Sequence, residues 1–185
     1  MDPAADAVIA ETRAWVDRIV IGLNLCPFAK AVQVKGQVRY VVSEATDPDA
    51  LLSALCEQLV ALAEAPADQV DTTLLIHPGV LDDFDDYNDF LETADAAVRA
   101  LRLEGVLQVA SFHPRYRFAG TTEDDVTNCT NRSPFPMLHL LREDSIGRAV
   151  AAIERPEAIY EANMRTLQAL GADGFAALRA QCKPS

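Results

Sequence analysis

Val38-Arg39-Tyr40-Val41-Val42-Ser43, then Asp47-Pro48 and an apolar repeat, then Asp71-Thr72-Thr73-Leu74-Leu75-Ile76, is the stretch that decides the fold class. Its two outer pieces are rich in β-branched and aromatic residues, the composition of strands. Between them Asp47 is placed to cap a helix whose first turn accepts Pro48. Leu51, Leu52, Leu55, Leu59 and Leu62 recur at helical spacing on its buried side, and Pro66 prevents continuation beyond about Glu64. A long helix between consecutive strands implies a crossover and parallel neighbours. The consecutive Leu74, Leu75 and Ile76 suit a sheet covered on both faces.

The pattern extends both ways. His77-Pro78-Gly79 ends the second strand. Asp82, Asp83, Asp85 and Asp86 crowd the start of a helix, where the positive dipole end favours them. That helix runs to about Leu103, with Tyr87, Phe90, Leu91, Ala94, Val98 and Leu101 inward and Gly105 as its expected C′ residue. Residues 106–112 form a third strand, ended by His113-Pro114. On the N-terminal side, residues 5–22 carry one apolar stripe that includes Val8, Trp15, Val16 and Ile19, a helix ended by Gly22 and Pro27. Residues 113–133 are irregular, interrupted by a short strand piece at Tyr116–Ala119 that would add an antiparallel edge strand. Ser133-Pro134 reads as another N-cap and first-turn proline, opening a helix to about Arg142. Residues 145–153 continue it or form a separate helix, another starts at Pro156 and runs to about Leu170, and a short helix follows Asp173. The expected fold is α/β over a single domain, 1–185: a small, mainly parallel sheet with a βαβαβ core, flanked by N- and C-terminal helices.

Composition narrows the function classes. A chain of 185 residues that is 50% hydrophobic and 24% charged buries a core without staples and is not disordered. No apolar run approaches the ~20 residues of a membrane helix. The start, Met1 to Asp6, is acidic where a secretory signal is basic, so a cytoplasmic protein is expected. The net charge of −12 argues against nucleic acid as a partner. Residues 1–111 hold 7 basic and 19 acidic side chains, whereas 112–185 hold 9 of each, so the arginines of the second part sit in a neutral setting. Cys26, Cys56, Cys129 and Cys182 match no zinc or redox spacing and read as free thiols. Cys56 belongs to an apolar helical run. Cys26 sits at a helix-to-loop break where it can be exposed.

Ligands of open parallel sheets bind at the carboxyl ends of strands. Glu44, His77 and His113 stand there, although each His-Pro is also an ordinary strand stop. The densest polar segment follows. A helix opened at Ser133 would present free amide N–H groups to an anion, with Asn128, Asn131 and Arg132 beside it. On that helix His139, Arg142 and Glu143 would share a face. Equally, asparagine and serine are common loop and cap residues, and His139 can be a satisfied helix histidine. Glu44, His77, His113 and His139 could supply two imidazoles and a carboxylate, but a divalent metal is not favoured: no His-x-x-x-His or Cys-His signature is present. Neither a Gly-x-Gly-x-x-Gly nor a Walker-type phosphate loop occurs, so no cofactor is named.

Three phrases resemble the bacterial DUF1415 family, a domain of unknown function. They are Gly22-Leu23-Asn24-Leu25-Cys26-Pro27-Phe28-Ala29, Gln108-Val109-Ala110-Ser111-Phe112-His113-Pro114, and Asn131-Arg132-Ser133-Pro134 leading into Leu138-His139-Leu140-Leu141-Arg142-Glu143. The resemblance spans about residues 5 to 172. It implies a bacterial, cytoplasmic, single-domain protein and puts weight on His113, Asn131, Arg132 and His139, but it brings no activity or cofactor. The leading expectation is an enzyme acting on a small anionic metabolite, a carboxylate or phosphate. In it Asn128, Asn131, Arg132, Ser133 and Arg142 bind the substrate, His113 or His139 serves as acid or base, and Tyr116 assists. The alternatives are a non-catalytic module binding a small anion or nucleotide, and a protein–protein adaptor docking through the acidic first part.

Overall fold

A computed structural model of the protein describes residues 3–151, 155 and 157–184. The expected helix start at Pro156, and residues 152 and 153 of the preceding helix, lie outside them. Helix α1 (Pro3–Trp15) passes directly into a six-residue π-helix (Val16–Ile21), and a short α2 (Ala29–Val34), unmarked in the sequence pattern, precedes β1 (Val38–Val42). Then come α3 (Pro48–Glu64), β2 (Thr72–Ile76), α4 (Phe84–Ala100) and β3 (Leu107–Phe112). A 3₁₀ turn (Val126–Thr130), β4 (Met137–Arg142), α5 (Glu143–Ala151) and α6 (Glu157–Ala180) complete the chain. No helix among the described residues is long and apolar enough to cross a membrane.

The local signals act as their chemistry dictates. The Asp47 side chain accepts from Ala50 N at 2.9 Å, with Pro48 in the first turn of α3. Asp83 caps α4 by accepting from the amides of Asp85 and Asp86 at 2.9 and 3.3 Å. At the other end of α4 the left-handed position is taken by Arg102 (φ 58°), not Gly105. Leu103 N then bonds Val98 O and Arg102 N bonds Arg99 O, which closes the helix three residues early, and Gly105 serves the next turn. Helix α6 bends at Gly171, whose φ of 72° and ψ of 169° fall where only glycine sits without strain. The break between the two expected C-terminal helices is therefore a kink.

The sheet differs from the expectation. Its order is β1-β2-β4-β3, and only β1 and β2 are parallel neighbours. β4 is antiparallel to both β2 and β3, in register from Thr72↔Leu141 to Ile76↔Met137 and from Leu107↔Arg142 to Phe112↔Met137. The sheet is mixed, the third strand does not adjoin the second, and the antiparallel strand is central rather than an edge piece from Tyr116–Ala119. The helix expected from Ser133 to Arg142 is this strand. Leu, Met and Arg favour helix, but the facing edges of β2 and β3 offered ladder partners on both sides, and tertiary pairing outweighs propensity. Pro136 adds a local reason, because a proline disfavours helical backbone at the residue before it, Phe135.

Alternate residues of each strand face two cores. On one side Leu75, Leu107, Leu138 and Leu140 meet Leu51, Leu55, Leu59 and Leu62 of α3 and Tyr87, Phe90, Ala94 and Val98 of α4. Each of those four α3 leucines is fully buried and contributes about 2 kcal/mol. On the other side Leu74, Ile76 and Met137 meet Trp15, Val16 and Ile19, with Leu167 and Phe175 of α6 behind them.

Candidate functional site

The polar segment 113–133 satisfies its own backbone. Asn128, fully buried, accepts from Phe118 N at 3.0 Å and Thr121 Oγ1 at 2.8 Å, and donates to Thr122 O at 2.8 Å. Asn131 donates to Ser111 O at 3.0 Å. Arg132 donates to Tyr116 O at 3.2 Å and Glu123 O at 2.6 Å, and its own carbonyl accepts from the Trp15 indole at 3.1 Å. Ser133, buried, donates to Phe135 O at 2.6 Å, and no helix begins there. Arg142 points to the opposite face of the sheet, where it donates to Leu62 O, Ala65 O and Val70 O. The expected anion cradle is absent because its helix is a strand and its arginines already hold carbonyls. Arg115 and Arg117 reach the acidic start of α4, at 3.4 Å from Asp82 and 3.3 Å from Asp85, so the two charge populations of the sequence meet there.

The histidines separate into two places. Since β4 opposes both neighbours, β1, β2 and β3 point the same way, and Glu44, His77 and His113 follow their ends on one rim. Glu44 is exposed, while His77 and His113 are buried around Tyr87, at ring distances of 5.9 and 5.0 Å. His113 is fully bonded: Nε2 donates to Leu81 O at 3.1 Å, and Nδ1 accepts from Arg115 N at 3.0 Å. His77 Nδ1 donates to Val80 O at 3.0 Å, which leaves a buried Nε2 without a partner. Burial pushes the His113 value down and the His77 value down to about 4. Tyr116 hydroxyl accepts from Ser111 Oγ at 3.4 Å and stays on this rim. No three His, Cys, Asp or Glu side chains among the described residues gather into a metal-binding group.

His139 lies elsewhere, mid-strand on β4 and on the second face of the sheet. There it forms the floor of a cavity of about 810 Å³, roofed by the π-helix, α2 and α5. The size is that of a small-molecule site. Its ladder neighbours are Leu74 and Ala110, and the small Ala110 leaves room beside the ring. Most of the lining is apolar, from Trp15, Val16 and Phe28 to Phe112 and Ile146. Cys26 also lines it.

One hydroxyl hydrogen sets the tautomer of His139. Thr72 Oγ1 donates to Leu140 O at 2.6 Å, so at its 2.7 Å contact with His139 Nε2 it can only accept. Nε2 therefore carries the hydrogen, and Nδ1 is a bare acceptor with no partner among the described residues. Desolvation alone holds the imidazole value down at about 4, so the ring is neutral at pH 7. The roof is unusual as well: π-helices are rare and often mark functional sites, and Val16 and Val20 of this one line the cavity. Gly22 closes it, and a Cβ there would run into the Arg18 carbonyl. Sequence reasoning singled out His139 and Cys26 but missed Thr72, the π-helix and the cavity. The short apolar run Met137–Leu141 behind Pro134 and Pro136, broken only by His139, was the available signal.

Fold and cavity together define an α/β protein with a mixed four-stranded sheet and a ligand-sized hollow on one face. The family model of proteins of unknown function DUF1415 matches residues 7–177, and the chain belongs to that family. Neither a curated protein nor a solved structure matches it. The three family-like phrases supply Cys26 to Ala29, then Gln108, Ala110 and Phe112, then His139 and Leu141, and all of these line the same cavity.

Proposed function

We propose that the protein binds a small, largely apolar molecule in the cavity beneath the π-helix, and that His139 is its polar contact and its acid–base group. The observation that carries this reading is the Thr72–His139 pair on the cavity floor, an imidazole held in one tautomer with its other nitrogen free. The neutral ring presents its bare Nδ1 as a hydrogen-bond acceptor and, as a weak base in this setting, as the acceptor of an acidic proton from a bound molecule. The reading keeps the expected histidine chemistry, assigns it to His139 of the two candidates His113 and His139, and gives no role in binding to Asn128, Asn131, Arg132, Ser133 or Arg142. Filling the space tests it. 1-Naphthol should raise the melting temperature of the wild-type protein and should not raise that of Ala110→Phe, which fills the hollow beside His139. Equal stabilisation of both proteins by the probe would refute the site.

A further inference from the structure

The floor of the cavity offers an acceptor and withholds donors. On the floor around His139 the polar hydrogens are committed, whereas the Gln108 amide is exposed. The Trp15 indole donates to Arg132 O, Thr72 to Leu140 O, His139 Nε2 to Thr72, and Ser145 to Asp71 at 2.6 Å. Arg142, at the edge of the space, sends its guanidinium away to the other face of the sheet, onto the carbonyls of Leu62, Ala65 and Val70. The cationic groups Lys35 and Arg148 are on the exposed rim, and the acidic Asp68 is exposed there with them. On the floor, beside Ala110, the uncommitted acceptor is His139 Nδ1.

We infer that the ligand of this cavity is a neutral molecule with an apolar body and one O–H or N–H group that donates to His139 Nδ1, and that anions are rejected. The inference rests on the proposed function and names the ligand class for the same site. A carboxylate would bring only lone pairs to the lone pair of Nδ1, and a carboxylate or phosphate seated on the floor would leave its water shell without finding a free donor there. A hydroxyl or ring N–H would satisfy the one open acceptor while its carbon skeleton covers the apolar walls. Thr72 is a positioning residue here: its hydroxyl fixes which nitrogen of His139 is bare. The low proton affinity of the partly buried ring works in the same direction, because an imidazolium able to greet an anion is scarce at pH 7.

Three probes of one shape separate the possibilities: 1-naphthol, 1-methylnaphthalene, which lacks the donor, and 1-naphthoate, the anion. Titration at pH 7 should give 1-naphthol an affinity about tenfold above 1-methylnaphthalene, the worth of one good hydrogen bond. 1-Naphthoate should bind weakest. His139→Leu should erase the preference for 1-naphthol over 1-methylnaphthalene. Thr72→Val should weaken that preference and Thr72→Ser should restore it, while the ¹⁵N signals of His139 report the Nε2–H tautomer in wild type and Thr72→Ser and a mixture in Thr72→Val. Equal affinity for the first two probes, or tighter binding of 1-naphthoate, would overturn the ligand class and leave the cavity as a binding site. If none of the three binds, the proposed function fails and the inference with it.

Discussion

Replacing Arg142 by methionine removes the fastening between β4 and the end of α3. Arg142 Nε reaches Val70 O at 3.2 Å, and one terminal nitrogen reaches Leu62 O and Ala65 O at 2.6 Å each. Leu62 and Ala65 are at the C-terminal end of α3, where carbonyls lack helical partners and the dipole favours a cation. One hydrogen bond to a charged group contributes about 1.5–3 kcal/mol, and the three carbonyls share one guanidinium, so their worth is less than three separate bonds. Water recovers part of the loss. The net expectation is about 3 kcal/mol, which for a chain of this size lowers the melting temperature by about 6–12 °C. Lysine keeps the charge but cannot fork to three carbonyls, so Arg142→Lys should recover about half of that loss. Urea and thermal unfolding of the wild type and both variants measure it. A methionine variant within about 1 kcal/mol of wild type, or a lysine variant as stable as wild type, would refute a structural Arg142.

Stability should fall as pH drops from about 6.5 to about 4, because His77 is neutral in the fold with a value near 4 while the unfolded chain takes its proton first; the full effect is ~3 kcal/mol. Urea midpoints of wild type and His77→Gln between pH 7.5 and pH 4.5 check this, and identical slopes for the two would contradict it. Iodoacetamide on the native protein should label the partly exposed Cys26 and Cys56 and spare the buried Cys129 and Cys182, whose thiol values burial pushes up. 1-Naphthol should slow labelling of Cys26 alone, and mass spectrometry showing Cys56 protected equally would place the probe elsewhere.

The helices were legible where short-range chemistry sets them. Asp47-Pro48 and Asp83 announce their starts, and the leucine spacing announces the buried face of α3. β1, β2 and β3 were legible from their branched residues. β4 was not, because Met137–Arg142 has helical propensity and becomes a strand only through two edges supplied from residues 72–76 and 107–112. The site suffered from a related ambiguity. Asn128, Asn131 and Arg132 are the residues that would bind an anion, and they are also the residues that hold a long loop against itself, since amides and guanidinium groups satisfy carbonyls as readily as ligands. His139 stood out because the chain has only three histidines. Its real setting, beside Thr72 and under the π-helix, depends on contacts 67 residues apart that no local pattern encodes.

The placement of β4 governs how the molecule can be born. The last strand to leave the ribosome occupies the middle of the sheet, so a nascent chain that has reached β3 carries an open slot with two unsatisfied edges. Such a species invites any passing extended segment, and it lasts for as long as translation takes to cross the loop ahead of Met137. The same layout makes the protein divisible: nicked in the exposed turn near Thr122, it becomes a slotted receptor and a separate plug, able to find each other again through the ladder that β4 forms on both of its sides.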